Sequence, residues 1–447
     1  MKKIALTLVS ILLATAAVTA CGSGSADKKV AESSAPKVQE PVTIKYYNND
    51  TEAEAAVTKK LIEGFQAKFP NIKVESISLV PGNSVETLKK LDVTLASGEQ
   101  VDVAIFPNIE EIMARSAMGV LTPLDEFYTK AKVNPEEEYY VNPKYKGKYY
   151  GMMNATTNWL VAINEQALKE SGLPLPSFDW TWDDFREYAK KLSKGDGPNK
   201  RYGAYFHNWG EYANTIAYTD KKSPYLTEDL KPAFNDPSFK QFFELRRAME
   251  KDDKSVRPFA DVIGAKLNYR TEFVTEKTAM LLTGSFLIAN VADGKTYPHN
   301  FKTVFAPVPR SSKNAPEGLT NIGGTYFGIA ANSKYKEQTF EFIRYMSTDS
   351  SVRTNLSGWK KVDSGALLER LYGNNKELVD LSSLKSTLYD KRVKTSVSTD
   401  IAVPYASQLK KVMEDGFSKF ILDNTTAEDA QKSMTEQADK IIKQNTK

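Results

Sequence analysis

Two histidines and one cysteine are all this chain offers of the side chains that most often hold transition metals or drive nucleophilic catalysis. His207, His299 and Cys21 are too few for a Cys/His zinc site, and a histidine-based triad would have to use one of the two imidazoles. Loop carboxylates exist in Asp50, Glu52 and Glu211. Acid–base hydrolysis needs two of them at a set separation across a cleft, and nothing in the sequence pairs them. The expectation is a chain with no catalytic residue, no metal and no cofactor. What the loops do supply is aromatic rings interleaved with amides, most densely in His207-Asn208-Trp209-Gly210-Glu211-Tyr212. Rings offer apolar faces for stacking, and planar amides offer paired hydrogen bonds.

The single cysteine has a context of its own. Lys2 and Lys3 precede an apolar run from Ile4 to Val18, followed by Thr19-Ala20-Cys21. A charged start, a short apolar core and small residues before a cut make a secretory signal, and the run is too short to span a bilayer comfortably. The stretch resembles a bacterial lipobox, in which the cysteine is acylated and becomes the new N-terminus. Residues 1–20 then read as a signal peptide, and 21–41 as the lipidated Cys21 and a flexible tether (GSGSADKKVAESSAPKVQEP) with a random-coil reach of roughly 25 Å. One acyl chain holds a protein only weakly, so stable attachment takes at least two. A formal net charge of +4 gives no footprint for nucleic acid.

The body must position the loops. Val42 to Tyr47 reads as a strand, followed by the polar turn Asn48-Asn49-Asp50-Thr51 and a helix to Phe69 that Pro70 stops. Ile72 and Val74 begin a second strand, and Val85, Leu88, Leu91 and Leu95 mark a helix closed by Gly98. Val101 to Phe106 is an almost wholly apolar strand, suited to burial on both faces. Strand and helix alternating at this spacing argue an α/β fold. Further on, Trp159 to Ile163 and Tyr202 to Phe206 read as strands, and Ala279 to Leu282 as a short buried one. Thr181-Trp182-Asp183-Asp184 is a capping box, which makes its two aspartates helix-terminus carboxylates. Asn321 to Ala331 reads as a Gly-rich turn and strand, Glu337 to Met346 as a helix, and Ala427 to Lys443 as a polar amphipathic terminal helix.

The landmarks come in a telling order: VTIKYYNND, EGFQAKFPNIKVE, LASGEQVDVAIF, GVLTPLDEF, KGKYYGMMNATTNWLVAINEQALKESGL, TWDDFREYAKKL, FVTEKTAMLLTGSF, FAPVPRSSKNAPEGLTNIGGTYFGIAANSKYKEQTFEFIRYM and GWKK. Each is weak alone. Together, over nearly the whole body and behind a lipobox, they resemble the extracellular solute-binding proteins of sugar ABC transporters, the family that includes maltose-binding protein. The resemblance implies a two-lobed, periplasmic-binding-protein-like (type II) α/β fold, with hinge-connected lobes around a central ligand cleft. Residues 42–154 plus 310–348 would form the first lobe, and 155–309 plus 349–447 the second. The chain would cross near Met152–Thr157, Ala306–Arg310 and Ser347–Ser350. Such a protein closes on its ligand by a hinge and presents both lobes to the permease subunits of an ABC importer. The implied state is a monomer, lipid-anchored at the extracellular face of the cell membrane, and it makes no covalent change to its ligand.

A sugar presents apolar ring faces and many hydroxyls, and in open α/β sheets ligands sit beyond the carboxyl ends of strands. Loops there supply Asn49, Asp50 and Glu52 after the first strand, then Phe106 and Asn108, which match a family position for an aromatic and a polar contact. Thr157, Asn158 and Trp159 lie at the first crossing, and His207, Asn208, Trp209 and Tyr212 in the polar-aromatic loop. Phe286 stands where the family usually places a Trp; Gly324 and Tyr326, beside Gly323, come from the Gly-rich turn, and Trp359 and Lys360 close the set. Trp159 alternates with Val161 and Ile163 and reads equally as core. Trp180 and Trp182 flank a helix start and read as packing, and Asp102 as a structural hydrogen-bonding residue. Two other functions stay open: a surface glycan-active enzyme, and a binding protein for a non-sugar solute such as a peptide or polyamine. A polyamine site would want carboxylates around aromatic walls, whereas these loops are richer in Asn, Thr and rings. An anionic sugar would want Arg or Lys, which Lys360 and Lys361 keep possible.

Overall fold

The computed structural model describes residues 40–220, 223–396, 403–423 and 425–446. The expected signal peptide, Cys21 and nearly all of the expected tether lie outside the described residues. Nine strands form one sheet: β1 (Val42–Asn48), β2 (Ile72–Ser78), β3 (Val103–Phe106), β4 (Met152–Asn164), β5 (Tyr202–Tyr205), β6 (Thr278–Gly284), β7 (Thr303–Ala306), β8 (Leu319–Ile329) and β9 (Lys394–Ser396). Their order is β2-β1-β3-β8-β4-β6-β5, with β7 also on β4 and β9 on β8. Both ends of this path are parallel (β2-β1-β3 and β6-β5), and the strands that join them, β8 and β4, run antiparallel to their neighbours. Parallel ends covered by helices, with an antiparallel seam between them, make a two-lobed α/β architecture.

Helices relevant to the site are α1 (Glu52–Lys68), α2 (Ser84–Ala96), α3 (Ile109–Ala117), α4 (Trp182–Leu192), α5 (Pro237–Arg247), α6 (Tyr269–Val274), α7 (Leu287–Ala292), α8 (Lys336–Thr348), α9 (Ala406–Asp423) and α10 (Ala427–Asn445). Local sequence explains their ends. Thr51 caps α1, and the Glu54 carboxylate returns a bond to the Thr51 N–H at 2.8 Å. Thr181 and Asp184 do the same for α4, also at 2.8 Å, so Asp184 is engaged as a helix cap. None of the described helices is long and apolar enough to cross a membrane.

Strand β4 is long enough to serve three cores. Met152 and Met153 pack with Ile44, Tyr46, Phe65, Phe106 and Phe342. Seven residues on, Trp159, Val161 and Ile163 pack with Trp182, Phe185, Phe206, Phe242 and Met280. The intervening Leu160 and Ala162 face the opposite side, among Phe273, Ile288 and Leu384. That is the two-residue period of a strand buried on both faces. A fourth core joins α5, α9 and α10 through Phe239, Phe243, Phe417, Phe420 and Met434.

The expected Gly-rich turn at Asn321 is not a turn. Gly323 and Gly324 sit inside β8, opposite Thr157 and Thr156 of β4. Glycine is wanted there for space: a Cβ on Gly324 would stand 2.0 Å from the Ala155 carbonyl oxygen. The chain also keeps to the second half beyond Ala306, because the Arg310 N–H donates to the Trp180 carbonyl at 3.1 Å. It reaches the first core within β8, where Thr320 Oγ1 donates to the Trp159 carbonyl and Ile322 is already in the first core. After α8, the buried Arg353 gathers the carbonyls of Asn154, Met346 and Ser347 at 2.9, 2.7 and 3.2 Å. One guanidinium thus ties β4 to the segment leaving the first core.

Candidate functional site

Strands β5 and β6 run parallel, and the chain leaving their carboxyl ends carries His207 and Phe286 respectively. In open α/β sheets this is where ligands bind. Gly284 makes room at the mouth: a Cβ there would lie 2.4 Å from the Phe286 ring and 2.6 Å from Thr157 Cγ2. Phe286 and Thr157 therefore face each other across a bare backbone. Ser285 locks the turn, its N–H donating to the Asn158 carbonyl at 2.8 Å while its Oγ accepts from the Asn158 N–H at 3.2 Å. Asn158 Oδ1 is buried and has no hydrogen-bond partner among the described residues, an acceptor left for something else.

Five rings converge here. Trp209 meets His207, Tyr269 and Phe286 with centroids 4.7, 5.3 and 5.9 Å away, all edge-on. Tyr269 also lies 5.3 Å from His207 and 6.0 Å from Phe286. Tyr212 braces the set from beneath, 5.2 Å from Trp159, with its hydroxyl donating to the Leu282 carbonyl at 2.8 Å. Most of these rings are covered, but Trp209 is 39 % exposed, in contrast to Trp180 and Trp182 at 4 % and 1 %. Burial, helped by the nearby Arg270 charge, holds the His207 imidazole down at about 4, so it is neutral at physiological pH. A mostly covered aromatic set with one exposed indole has the geometry of a platform on which an apolar face can stack.

Opposite elements approach through charge. Helix α9 packs against α3, placing Lys410 in the same electrostatic neighbourhood as Glu110. Lys410 Nζ lies 3.4 Å from Glu211 Oε1, and Gly210 has no Cβ that would collide with the Lys410 stem. Burial works against the Lys410 charge, but Glu211, Tyr225, Glu110 and Glu414 outweigh it and raise its pKa. Burial lifts the Glu110 carboxyl above the usual range, with Lys410 pulling it back.

Among the residues singled out in the sequence, Thr157, Asn158, Trp159, His207, Trp209, Tyr212 and Phe286 share this neighbourhood, with Asn208 exposed on the same loop. Several belong elsewhere. Phe106 is fully buried, its ring over Gly328 and beside the Arg115 guanidinium, so it is core and not a cleft wall. Tyr326 is likewise fully buried, because β8 turns it into the first core. Tyr212, though in the ring set, is fully buried and supports it from below. Gly324 is backbone in the β8–β4 seam. The Asn108 Oδ1 caps α3 by accepting from the Glu111 N–H at 3.0 Å. Asp50 accepts from Thr58 Oγ1 at 2.6 Å, Asn49 offers its carbonyl to the Gly82 N–H, and Glu52 is exposed in the first turn of α1. Trp359 donates Nε1–H to Glu138 Oε2 at 3.0 Å, and Lys360 Nζ donates to the Glu136 carbonyl at 2.7 Å. Those two dock on the segment 136–140. Tyr269, Glu110 and Lys410 escaped the sequence reading; Tyr269 directly follows a helix cap, Asn268, which is the one local signal it carries.

Comparison with known proteins agrees with this architecture. A multiple sugar-binding protein of Streptococcus mutans serotype c is 24% identical over 333 residues, covering 70% of this chain and 73% of its own. The sn-glycerol-3-phosphate-binding periplasmic protein UgpB of Escherichia coli K12 is 22% identical over 321 residues, covering 65% and 69%. An ABC substrate-binding protein from Listeria monocytogenes, solved in complex with cycloalternan, superposes with a TM-score of 0.73 at 22% identity, over 90% of this chain and 99% of its own. The family model described as bacterial extracellular solute-binding protein matches residues 48–352. With that match spanning most of the chain, this protein belongs to the bacterial extracellular solute-binding protein family.

Proposed function

We propose that the protein captures a sugar or oligosaccharide outside the cell and delivers it to the permease subunits of an ABC importer. The observation that carries this reading is the ring set around the exposed Trp209 at the carboxyl ends of β5 and β6. Apolar sugar faces stack on Trp209 and Phe286, and the unpartnered Asn158 Oδ1 accepts from a hydroxyl. The Streptococcus relative's name and the cycloalternan in the Listeria complex support a carbohydrate. Binding involves no covalent change, and closure of the lobes selects the bound state.

The first lobe comprises residues 42–154 and the return segment that enters it within β8 and ends near 348, and the second lobe most of the rest, a division supported by the separate cores around Phe65 and Phe185. Asn49, Asp50, Glu52 and Asn108 lie on the first lobe, and Trp359 and Lys360 dock on its segment 136–140. The mature protein is a monomer, anchored through acylated Cys21 at the extracellular face of the cell membrane. Labelled palmitate should enter the wild-type protein and not Cys21→Ser.

A thermal-shift screen against neutral and charged mono- and oligosaccharides tests the function. Ligand at 100 times Kd should stabilise by about 2.7 kcal/mol. Chain lengths of a bound oligosaccharide should be unchanged after prolonged incubation. Shortened products would make the protein a glycan-active enzyme instead, and the absence of a shift with every saccharide would remove the carbohydrate reading.

A further inference from the structure

Arg270 follows Tyr269 in the first turn of α6, with its backbone N–H given to Asn268 Oδ1 at 2.9 Å. The guanidinium lies over the Tyr269 ring, 4.7 Å from its centroid. Its Nε–H donates to Asn290 Oδ1 at 2.8 Å. Asn290 sits on α7, the helix that Phe286 opens. The two helices that carry Tyr269 and Phe286 therefore also fix this cation, which is half-buried.

Most other arginines among the described residues satisfy their fork in one of two ways; Arg246 is an exception, buried over the Phe206 ring with Nε and Nη1 unpartnered. Arg115 and Arg257 meet carboxylates, at 2.7 to 3.0 Å. Arg353 and Arg370 collect several backbone carbonyls. Arg270 does neither. Among the described residues no carboxylate lies within 4 Å of it, and one neutral amide oxygen is its hydrogen-bond partner. A guanidinium carries five N–H donors, so its terminal nitrogens remain open. The charge is oriented in advance by Asn290 and Tyr269, and its partial desolvation strengthens any pairing it makes.

We infer that Arg270 is a specificity residue of the aromatic site, and that the ligand is a polyhydroxylated molecule bearing an anionic group, a carboxylate or a phosphate. The sugar ring stacks on Trp209 and Phe286 while the anion takes the open guanidinium edge with paired, charge-assisted hydrogen bonds. This rests on the carbohydrate-binding reading above and goes beyond it in naming the charge.

Calorimetric titration of the protein tests it with neutral gluco-, galacto- and manno-trisaccharides, trigalacturonate and triglucuronate. Glycerol 3-phosphate, with glycerol as its control, forms the phosphate arm. A charged probe should bind at least tenfold more tightly than its neutral counterpart, and more weakly as salt rises. Arg270→Gln should abolish that preference without moving the unfolding midpoint of the free protein, and Arg270→Lys should retain the salt dependence with reduced affinity. The arm that responds identifies carboxylate or phosphate. Neutral trisaccharides binding as tightly as the uronates, or charged probes binding Arg270→Gln undiminished, would overturn the inference while leaving the carbohydrate reading standing. Binding of glycerol 3-phosphate alone, lost in Arg270→Gln, would uphold the anion and overturn the sugar. No binding in any arm would overturn both.

Discussion

The indole of Trp209 meets the ring of Phe286 edge-on with centroids 5.9 Å apart, joining the loop after β5 to the turn after β6. Residues 77 apart in sequence are held as one platform, with the indole 39 % exposed. Trp209→Ala should therefore cost the fold under about 1 kcal/mol, as for a partly exposed side chain. It should weaken any bound saccharide at least tenfold, or about 1.4 kcal/mol. Trp182→Ala is the counterpart: that indole is 1 % exposed, and its loss should cost about 3–5 kcal/mol of stability. Urea unfolding alongside calorimetry separates the two effects, and equal affinity in Trp209→Ala would discard the platform.

Adjacent glycines in β8 should respond oppositely to alanine. A Cβ on Gly324 meets the Ala155 carbonyl oxygen at 2.0 Å, whereas a Cβ on Gly323 meets nothing within 4 Å. Gly324→Ala forces the β8–β4 seam apart and should cost more than about 2 kcal/mol. Gly323→Ala should stay within about 0.5 kcal/mol of wild type. Thermal unfolding of both variants decides it; similar midpoints would contradict the seam geometry.

Glu138 accepts from Lys361 Nζ at 2.8 Å, from Arg344 Nη1 at 2.7 Å and from Trp359 Nε1 at 3.0 Å. Burial pushes its carboxyl up, but these donors together outweigh it and hold it at about 2. A carboxylate depressed in the folded state stabilises above its ordinary value of 4.5, and that contribution is lost as pH falls toward 2. Glu138→Gln should lower stability at pH 7 by about 1.5–3 kcal/mol. The loss should shrink as pH falls from 4.5 toward 2, which urea midpoints across that range would record.

His207 acts in a different window. Its imidazole stays neutral in the fold down to about 4, while the unfolded chain takes up the proton below the ordinary 6.5. Stability is therefore unaffected above 6.5 and falls as pH drops from 6.5 toward 4. His207→Gln should flatten that slope. An imidazole titration followed by NMR checks the position directly, and a midpoint near 6.5 would show that the ring is not sheltered.

Much of the local structure was legible in the sequence. The Thr181–Asp184 cap, the helix ended by Pro70, the packing of Trp180 and Trp182 and the structural role of Asp102 follow from neighbours a few residues away. Asp102 indeed accepts from the Lys45 N–H and Ser333 Oγ at 2.8 and 2.5 Å. The ring cluster of the candidate site was legible in part, because a ring-rich polar loop such as 207–212 advertises itself. The first-strand turn and Trp359-Lys360 carried the same residue types and make their contacts elsewhere.

What composition and order determined alone was an α/β chain of the solute-binding type, with stacking chemistry in its loops. Only the tertiary structure decided which rings stand open. Phe106 and Tyr326 meet across the β3–β8 pair and vanish into a core, and Tyr269 joins Trp209 from another helix. A strand's side chains alternate by face, so the register of β8 against β3 and β4, set between residues more than 160 apart, chooses inside from outside. Local propensity carries no record of that pairing.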